Sequence, residues 1–270
     1  MTEDFVLTKE NYYTSGADAR YMSFHQYESF IGGRGVYGCE AKAMAILKRE
    51  WVEPTTKAML VGSYVDCFFE NTLDEFKAEH PEIFTKQGEL KAEYKQAEVM
   101  INRCLQDKKF MQFMSGEKQA IKTGFLFGCD WKIKMDSYIP GKAIVDLKTT
   151  ANMHKAWRVK DMGWCSFVEF YNYTHQLAIY QKIVEIDTGE HLPCYIAAVT
   201  KEDYPEIAII EIDDFTLENA LNEIEMNMPT VLAVKAGETE PIRCEQCDYC
   251  KSTKVLMKPI NYRDLITEFE

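Results

Sequence analysis

The chain has 270 residues and a mass of 31.3 kDa, enough for one large domain or two small ones. Hydrophobic residues make up 46% and charged residues 27%, a globular balance that excludes disordered and fibrous classes. The net charge of −12, from 31 basic and 43 acidic residues, on its own argues against a polyanionic partner. No apolar run approaches the ~20 residues of a membrane span. The opening MTEDFVLTKE carries early acids and no apolar stretch, so no secretory signal is expected. Nine cysteines in such a chain point to a reducing, cytoplasmic setting, where clustered thiols bind metal more often than they form disulfides.

No repeat or low-complexity linker interrupts the chain, so one domain over 1–270 is expected. Its parts are a helical N-terminal region (about 21–115), a core (about 116–235) and a cysteine-rich tail (236–270). A polar–apolar stretch from Ser23 ends at the turn signal Gly32-Gly33. Cys39–Trp51 reads as a helix, and Pro54-Thr55-Thr56 precede a second over Ala58–Asn71. Residues 72–115 keep a helical period and close at Ser115-Gly116. From Lys118 the period becomes two, predicting strands at Gln119–Phe127, Asp130–Ser137 and Ala143–Lys148. A long helix over about Phe167–Ile186 follows, then strands at Cys194–Thr200 and Ile207–Ile212, and a helix over Leu217–Lys235. This order predicts an α/β protein with a central mixed β-sheet flanked by helices.

The stretch WKIKMDSYIPGKAIVDLKTT (131–150) is the most informative. In its first strand Lys132, Lys134 and Asp136 share one face, and in its second Asp146 and Lys148 do. Pro140-Gly141 marks the turn. A connection centred on Gly141 sets Asp136 opposite Asp146; one centred between Pro140 and Gly141 puts the two on opposite faces. Two carboxylates and a lysine on one face can hold Mg²⁺ or Mn²⁺ and act on a phosphodiester. A bare Asp-x-Lys also reads as an exposed strand with alternating charges.

Charge is unevenly placed. Residues 118–160 hold nine Lys or Arg against three Asp, a local +6 that leaves −18 for the rest. This reads either as a solvated basic face or as a trough for a phosphate backbone, with Arg158 and Lys160 near its end. Upstream, in the mostly apolar MLVGSYVDCFFEN (59–71), Ser63, Asp66 and Glu70 form one polar stripe at helical spacing. A mid-helix Asp66 needs a partner. A metal and a lysine such as Lys148 both qualify.

The ordered set of the Gly62-Ser63 helix, the Asp136 strand, Asp146-Leu147-Lys148-Thr149 and Gln176-x-x-x-Tyr180 resembles the RecB-like and RecE-like branch of the PD-(D/E)XK nuclease superfamily. It is most similar to phage and prophage proteins of the exodeoxyribonuclease VIII type, over roughly residues 21–255. The resemblance implies a restriction-endonuclease-like core. It makes Asp136 and Asp146 the metal-binding acids, joined by Asp66, with Lys148 as catalytic lysine. Gln176 and Tyr180 would place the DNA strand. Many relatives carry histidine where this chain has Asp66. The implied function is a Mg²⁺-dependent exonuclease on double-stranded DNA ends in phage-type recombination, with a homo-oligomer and a single-strand annealing recombinase as implied partners. Two alternatives stay open: a non-catalytic DNA-binding or assembly protein on the same fold, and a nuclease module of a larger DNA-processing complex.

Finally, Cys244-x-x-Cys247-x-x-Cys250 has the spacing of a metal site one ligand short. Cys39, beside the first predicted helix, is the candidate fourth ligand. Some nucleases of the resembled branch close an iron–sulfur cluster from one N-terminal and three C-terminal cysteines, usually with a longer last spacing. Zinc and an iron–sulfur cluster both remain open at this point.

Overall fold

The structure is a computed structural model that describes residues 5–35, 37–159 and 163–265. Three helices come first: α1 (Ser15–Arg20), α2 (Phe24–Ile31) and α3 (Glu40–Leu47). A second helical group is α4 (Lys57–Glu70), α5 (Leu73–Glu79), α6 (Ala92–Leu105) and α7 (Lys108–Phe113). Side chains at several helix starts, among them Thr14, Ser23, Thr56 and Asp107, accept a backbone N–H of the first turn and so set where these helices begin. Next come strands β1 (Ala120–Leu126), β2 (Cys129–Met135), β3 (Ser137–Ile139) and β4 (Ala143–Thr150). A small hairpin, β5 (Trp157–Val159) and β6 (Gly163–Cys165), precedes α8 (Phe167–Phe170) and α9 (Tyr173–Thr188). The chain continues through β7 (Cys194–Thr200), β8 (Ile207–Ile212), α10 (Asp214–Lys235) and α11 (Asp248–Ser252).

The central sheet has the order β3-β4-β7-β8. β4 and β7 run parallel, while β3/β4 and β7/β8 are antiparallel, so the sheet is mixed. Its strands alternate between two cores. Ile144, Cys194, Ile196 and Ala198 face a core built with α2, α9 and α10. Ala143, Val145, Leu147, Ala197 and Val199 face another, built with α4, α5, α6 and α7. Burial on both faces explains why β4 and β7 read as apolar runs. Fold class and sheet type are those the sequence led us to expect.

Three details differ from that expectation. β2 and β3 form one run of chain that changes partner at Asp136: β2 pairs with β1, and β3 with β4. The hairpin β5–β6 is an addition, too short to show a period. The helix expected over Phe167–Ile186 is broken between α8 and α9 by Asn172, which is buried with φ 54° in the left-handed region. Tertiary contact accounts for the break: Asn172 Nδ2 donates to the Gly32 carbonyl at 3.2 Å and fills the space where a Cβ on Gly33 would sit. Asparagine tolerates this conformation better than most residues.

Two losses would combine in Asn172→Ala, the buried hydrogen bond and a tolerated left-handed backbone. Asn172→Gly loses only the first. Denaturant unfolding should show Asn172→Ala less stable than Asn172→Gly by about 1 kcal/mol. Equal stabilities would mean that backbone conformation does not drive the helix break.

Candidate active site

β3 and β4 pair with Ser137 opposite Val145 and Ile139 opposite Ala143. Carried one residue further, this register sets Asp136 opposite Asp146, as a turn centred on Gly141 requires. Gly141 sits there with φ 67°, and the Lys142 N–H donates to the Ile139 carbonyl at 2.9 Å. Beyond this point β2 has left for β1, so the amide of Leu147 on β4 has no strand partner. The Asp136 carboxylate replaces it, Oδ2 accepting from Leu147 N at 2.8 Å. Asp146 and Lys148 alternate with Val145 and Leu147 and so point to the α9 side of the sheet.

On that side Gln176 of α9 donates through Nε2 to Asp146 Oδ1 at 3.2 Å and to Tyr180 Oη at 2.9 Å. Their spacing of four puts Gln176 and Tyr180 on one helix face. The Lys148 ammonium lies 2.6 Å from Asp146 Oδ2 and 4.7 Å above the Tyr173 ring. Apart from this ion pair, Asp146 Oδ2 is buried with no hydrogen-bond partner among the described residues. α4 reaches the site from the other layer. It lies so close to β4 that a Cβ on Gly62 would meet Thr149 Oγ1 at 3.2 Å. Asp66, one helical turn on, and Glu70 then line the same cleft of about 380 Å³ as Asp136, Asp146 and Lys148. Tyr12, Lys132 and Lys134 line it too.

Gln119 is a member that sequence reasoning missed. It precedes β1 with φ 53°, and its Nε2 donates to Glu70 Oε1 at 2.6 Å and Asp136 Oδ1 at 3.3 Å. Its own Oε1 is buried without a partner. No motif marks a glutamine at a strand start, and its neighbours in the sequence say nothing of Glu70.

The electrostatics show too little positive charge. Burial, then repulsion from Asp136, pushes Asp66 well above the usual carboxylate range. Burial and the Asp146 charge raise Asp136 to about 7. Burial opposes the Lys148 charge, but Asp146, Tyr173 and Asp136 together outweigh it and hold the ammonium above its ordinary range. Crowded carboxylates and orphaned acceptor oxygens, all hard donors, fit a divalent ion of the Mg²⁺ or Mn²⁺ class. Asp66, Asp136 and Asp146 are the residues able to hold it. Their oxygens do not converge as tightly as four sulfurs elsewhere. Cys39, Cys244, Cys247 and Cys250 bring their sulfurs within 4.8 Å of one another, away from this cleft.

Among the described residues, several charges of the basic segment are paired or turned to different clefts. Lys132 is buried and paired with Asp18 at 2.7 Å, and Lys122 pairs with Asp187 at 2.7 Å. Arg158 lines a different cleft of about 610 Å³, with Arg34, Asn172 and His175. Lys160 lies outside the described residues. Counting charges along the chain cannot see these pairings.

Comparison with known proteins follows the same lines. The family DUF3799, a PDDEXK-like domain of unknown function, matches residues 23–253. The crystal structure of a provisionally assigned exonuclease from Eubacterium rectale is 51% identical, covers 98% of this chain and 100% of that chain, and superposes with a TM-score of 0.95. A second solved chain, SSO0001, is 13% identical over 72% of this chain and 85% of that one; its TM-score of 0.28 carries no argument. No curated protein matches this chain. Among the described residues, no helix is long and apolar enough to cross a membrane.

The raised Asp136 carboxyl has a consequence for the metal-free protein. Its folded value of about 7 lies above the ~3.9 of an unfolded aspartate. The folded state therefore holds the extra proton between these values. The contribution is fully present below the unfolded value and is lost as pH rises through about 7. Asp136→Asn keeps an acceptor for Leu147 N and removes the titration. With chelator present, its melting temperature should gain on the wild type as pH rises from 5 to 8. A constant difference would show that Asp136 ionises normally.

Proposed function

We propose, from the premise that this chain belongs to the DUF3799 family of PDDEXK-like domains, that it is a divalent-metal-dependent deoxyribonuclease. The observation that carries this reading is the β3–β4 register. It sets Asp136 against Asp146, with Lys148 two residues along β4 on the same cleft. The finer reading is an exonuclease on double-stranded DNA ends. It is supported by 51% identity to the provisionally assigned exonuclease. A role in phage-type recombination, as an oligomer beside an annealing recombinase, rests on the ordered motifs alone.

Asp66, Asp136 and Asp146 would hold Mg²⁺ or Mn²⁺, which when bound supplies Lewis acidity to the phosphodiester and a more acidic water. Lys148 stays an ammonium beside Asp146, so it acts as a donor and point charge rather than as a base. In that state it orients a water through its N–H groups and offsets negative charge at the phosphorus in the transition state. Tyr173 under the ammonium limits where it can swing. Gln176 holds one Asp146 oxygen and leaves the other facing the cleft. Tyr180, through Gln176, fixes that amide. Gln119 does the same for Asp136 and Glu70.

Truncating Lys148 to alanine would leave Asp146 buried and unpaired, which is strongly destabilising. Two milder changes separate chemistry from folding: Asp146→Asn is isosteric, and Lys148→Gln keeps an N–H group that can donate to Asp146. Asp146→Asn and Lys148→Gln should lower the rate of cleavage of end-labelled linear DNA by roughly 10²-fold or more, while far-UV circular dichroism stays that of the wild type. Degradation of linear but not closed circular DNA, with Mg²⁺ or Mn²⁺ only, supports the exonuclease. Cutting of circles would make it an endonuclease. DNA binding without cleavage under either metal would favour a DNA-binding protein that keeps the fold.

A further inference from the structure

The tail after α10 has little core of its own. From Lys251 to Tyr262 every residue is exposed, and α11 spans only five residues. It is nonetheless docked on α3. Ala41 N donates to the Ile242 carbonyl at 3.1 Å, Ile242 N donates to Glu40 Oε2 at 2.8 Å, and the Trp51 and Tyr249 rings meet edge to face at 5.6 Å. At the centre of this contact lie four reduced cysteines. Cys39 caps α3, and Cys247 caps α11. Cys39 and Cys250 are 2% and 0% exposed, so they are sealed from solvent at the point where the tail meets the helix.

The spacing of the sulfurs discriminates between ligands. Cys39 Sγ is 3.6 Å from Cys250 Sγ, and Cys244 Sγ is 3.9 Å from Cys250 Sγ. No pair of the four exceeds 4.8 Å. Four thiolates around one zinc at ~2.3 Å stand about 3.8 Å apart. In an iron–sulfur cluster, thiolates on different irons are held further apart than this by the inorganic core between them. The observed distances lie close to those around a single ion and favour it over a cluster. They are also far beyond a disulfide bond, ~2.05 Å. The backbone is arranged for sulfur as an anion: Lys42 N donates to Cys39 Sγ at 3.4 Å, Cys247 N to Cys244 Sγ at 3.3 Å, and Cys250 N to Cys247 Sγ at 3.4 Å. Such N–H contacts orient and stabilise metal-bound thiolates.

We propose that Cys39, Cys244, Cys247 and Cys250 bind one zinc ion as a closed tetrahedral site that fastens residues 242–253 to α3. Four ligands leave no open position, so the site is structural. Its soft thiolates also keep it distinct from the oxygen-lined cleft. Because the tail has few apolar contacts, the metal contributes much of the free energy that holds it down.

Full-length protein purified without oxygen should contain one zinc per chain, no iron and no acid-labile sulfide, and should be colourless. Titration with a mercurial should release that zinc as four thiols react. Cobalt in its place should give the intense visible bands of a tetrahedral thiolate site. Cys39→Ser should lose zinc and open residues 242–253 to limited proteolysis, whereas Cys67→Ser, remote from the cluster, keeps both. If Cys39→Ser fails to fold, zinc removal from the wild type by chelator should reproduce the proteolysis, with re-addition reversing it. Iron in any form, four free thiols without metal, or zinc retained by Cys39→Ser would overturn the proposal.

Discussion

The cleft depends on the pairing of β3 with β4, because a side chain's face in a sheet alternates with every residue. A slip of one residue would carry Asp136 to the α4 side and leave Asp146 facing nothing. Three features hold the register. Gly141 takes the positive φ that closes the turn. Glu117 pairs with Tyr138 across the outer edge of β3, with N···O distances of 2.7 and 3.0 Å. And β4 is pinned on its other side by the parallel ladder to β7 from Ile144 to Thr150. The short β3 therefore has only three residues but little freedom.

The same pairing ends where the charge begins. At Asp136 the strand leaves β4 for β1, and the sheet opens. An open sheet exposes backbone amides that need partners. Asp136 meets that need at Leu147 while keeping its second oxygen toward Gln119. A carboxylate half-used by the backbone is restrained in orientation yet still available as a ligand. Asp146 follows the same pattern, one oxygen held by Gln176 and the other facing Lys148. Each of these acids thus has one oxygen held by a short contact from the fold and the other turned to a side chain of the cleft.

How much of this was legible in the sequence depended on whether the signal was local. β7 and β8 were readable to the residue because Cys194–Thr200 and Ile207–Ile212 are apolar runs bounded by polar turns. The mixed sheet and its helical layers followed from element order. The choice between the two hairpin registers was not legible, since both fit the same turn residues; the backbone at Gly141 decides it. Asn172 gave no warning of a helix break, because its reason is a carbonyl at Gly32, 140 residues away. Gln119 escaped for the same reason. The basic count over 118–160 overstates free charge, since Lys132 lies under Tyr12 in the core and is balanced by Asp18. Long-range pairing is what a sequence read along its length omits.

Asp66 shows how these constraints combine. Its helix is anchored by Tyr64 and Val65, both fully buried against α6 and the sheet, so Asp66 cannot withdraw from the cleft by local movement. It has no hydrogen-bond donor of its own among the described contacts, and Lys148 is already committed to Asp146. Partly open to the cleft, Asp66 is eased by protonation or by a cation. Burial and the neighbouring Asp136 charge favour its protonated form in the metal-free state. With a divalent ion held by Asp136 and Asp146, as proposed, the same carboxylate would be an oxygen ligand where many relatives of the resembled branch carry histidine. Replacing a nitrogen donor by oxygen hardens the ligand set and favours Mg²⁺ and Mn²⁺ over softer ions. The departure at Asp66 is therefore compatible with the proposed metal chemistry and would shift its preference.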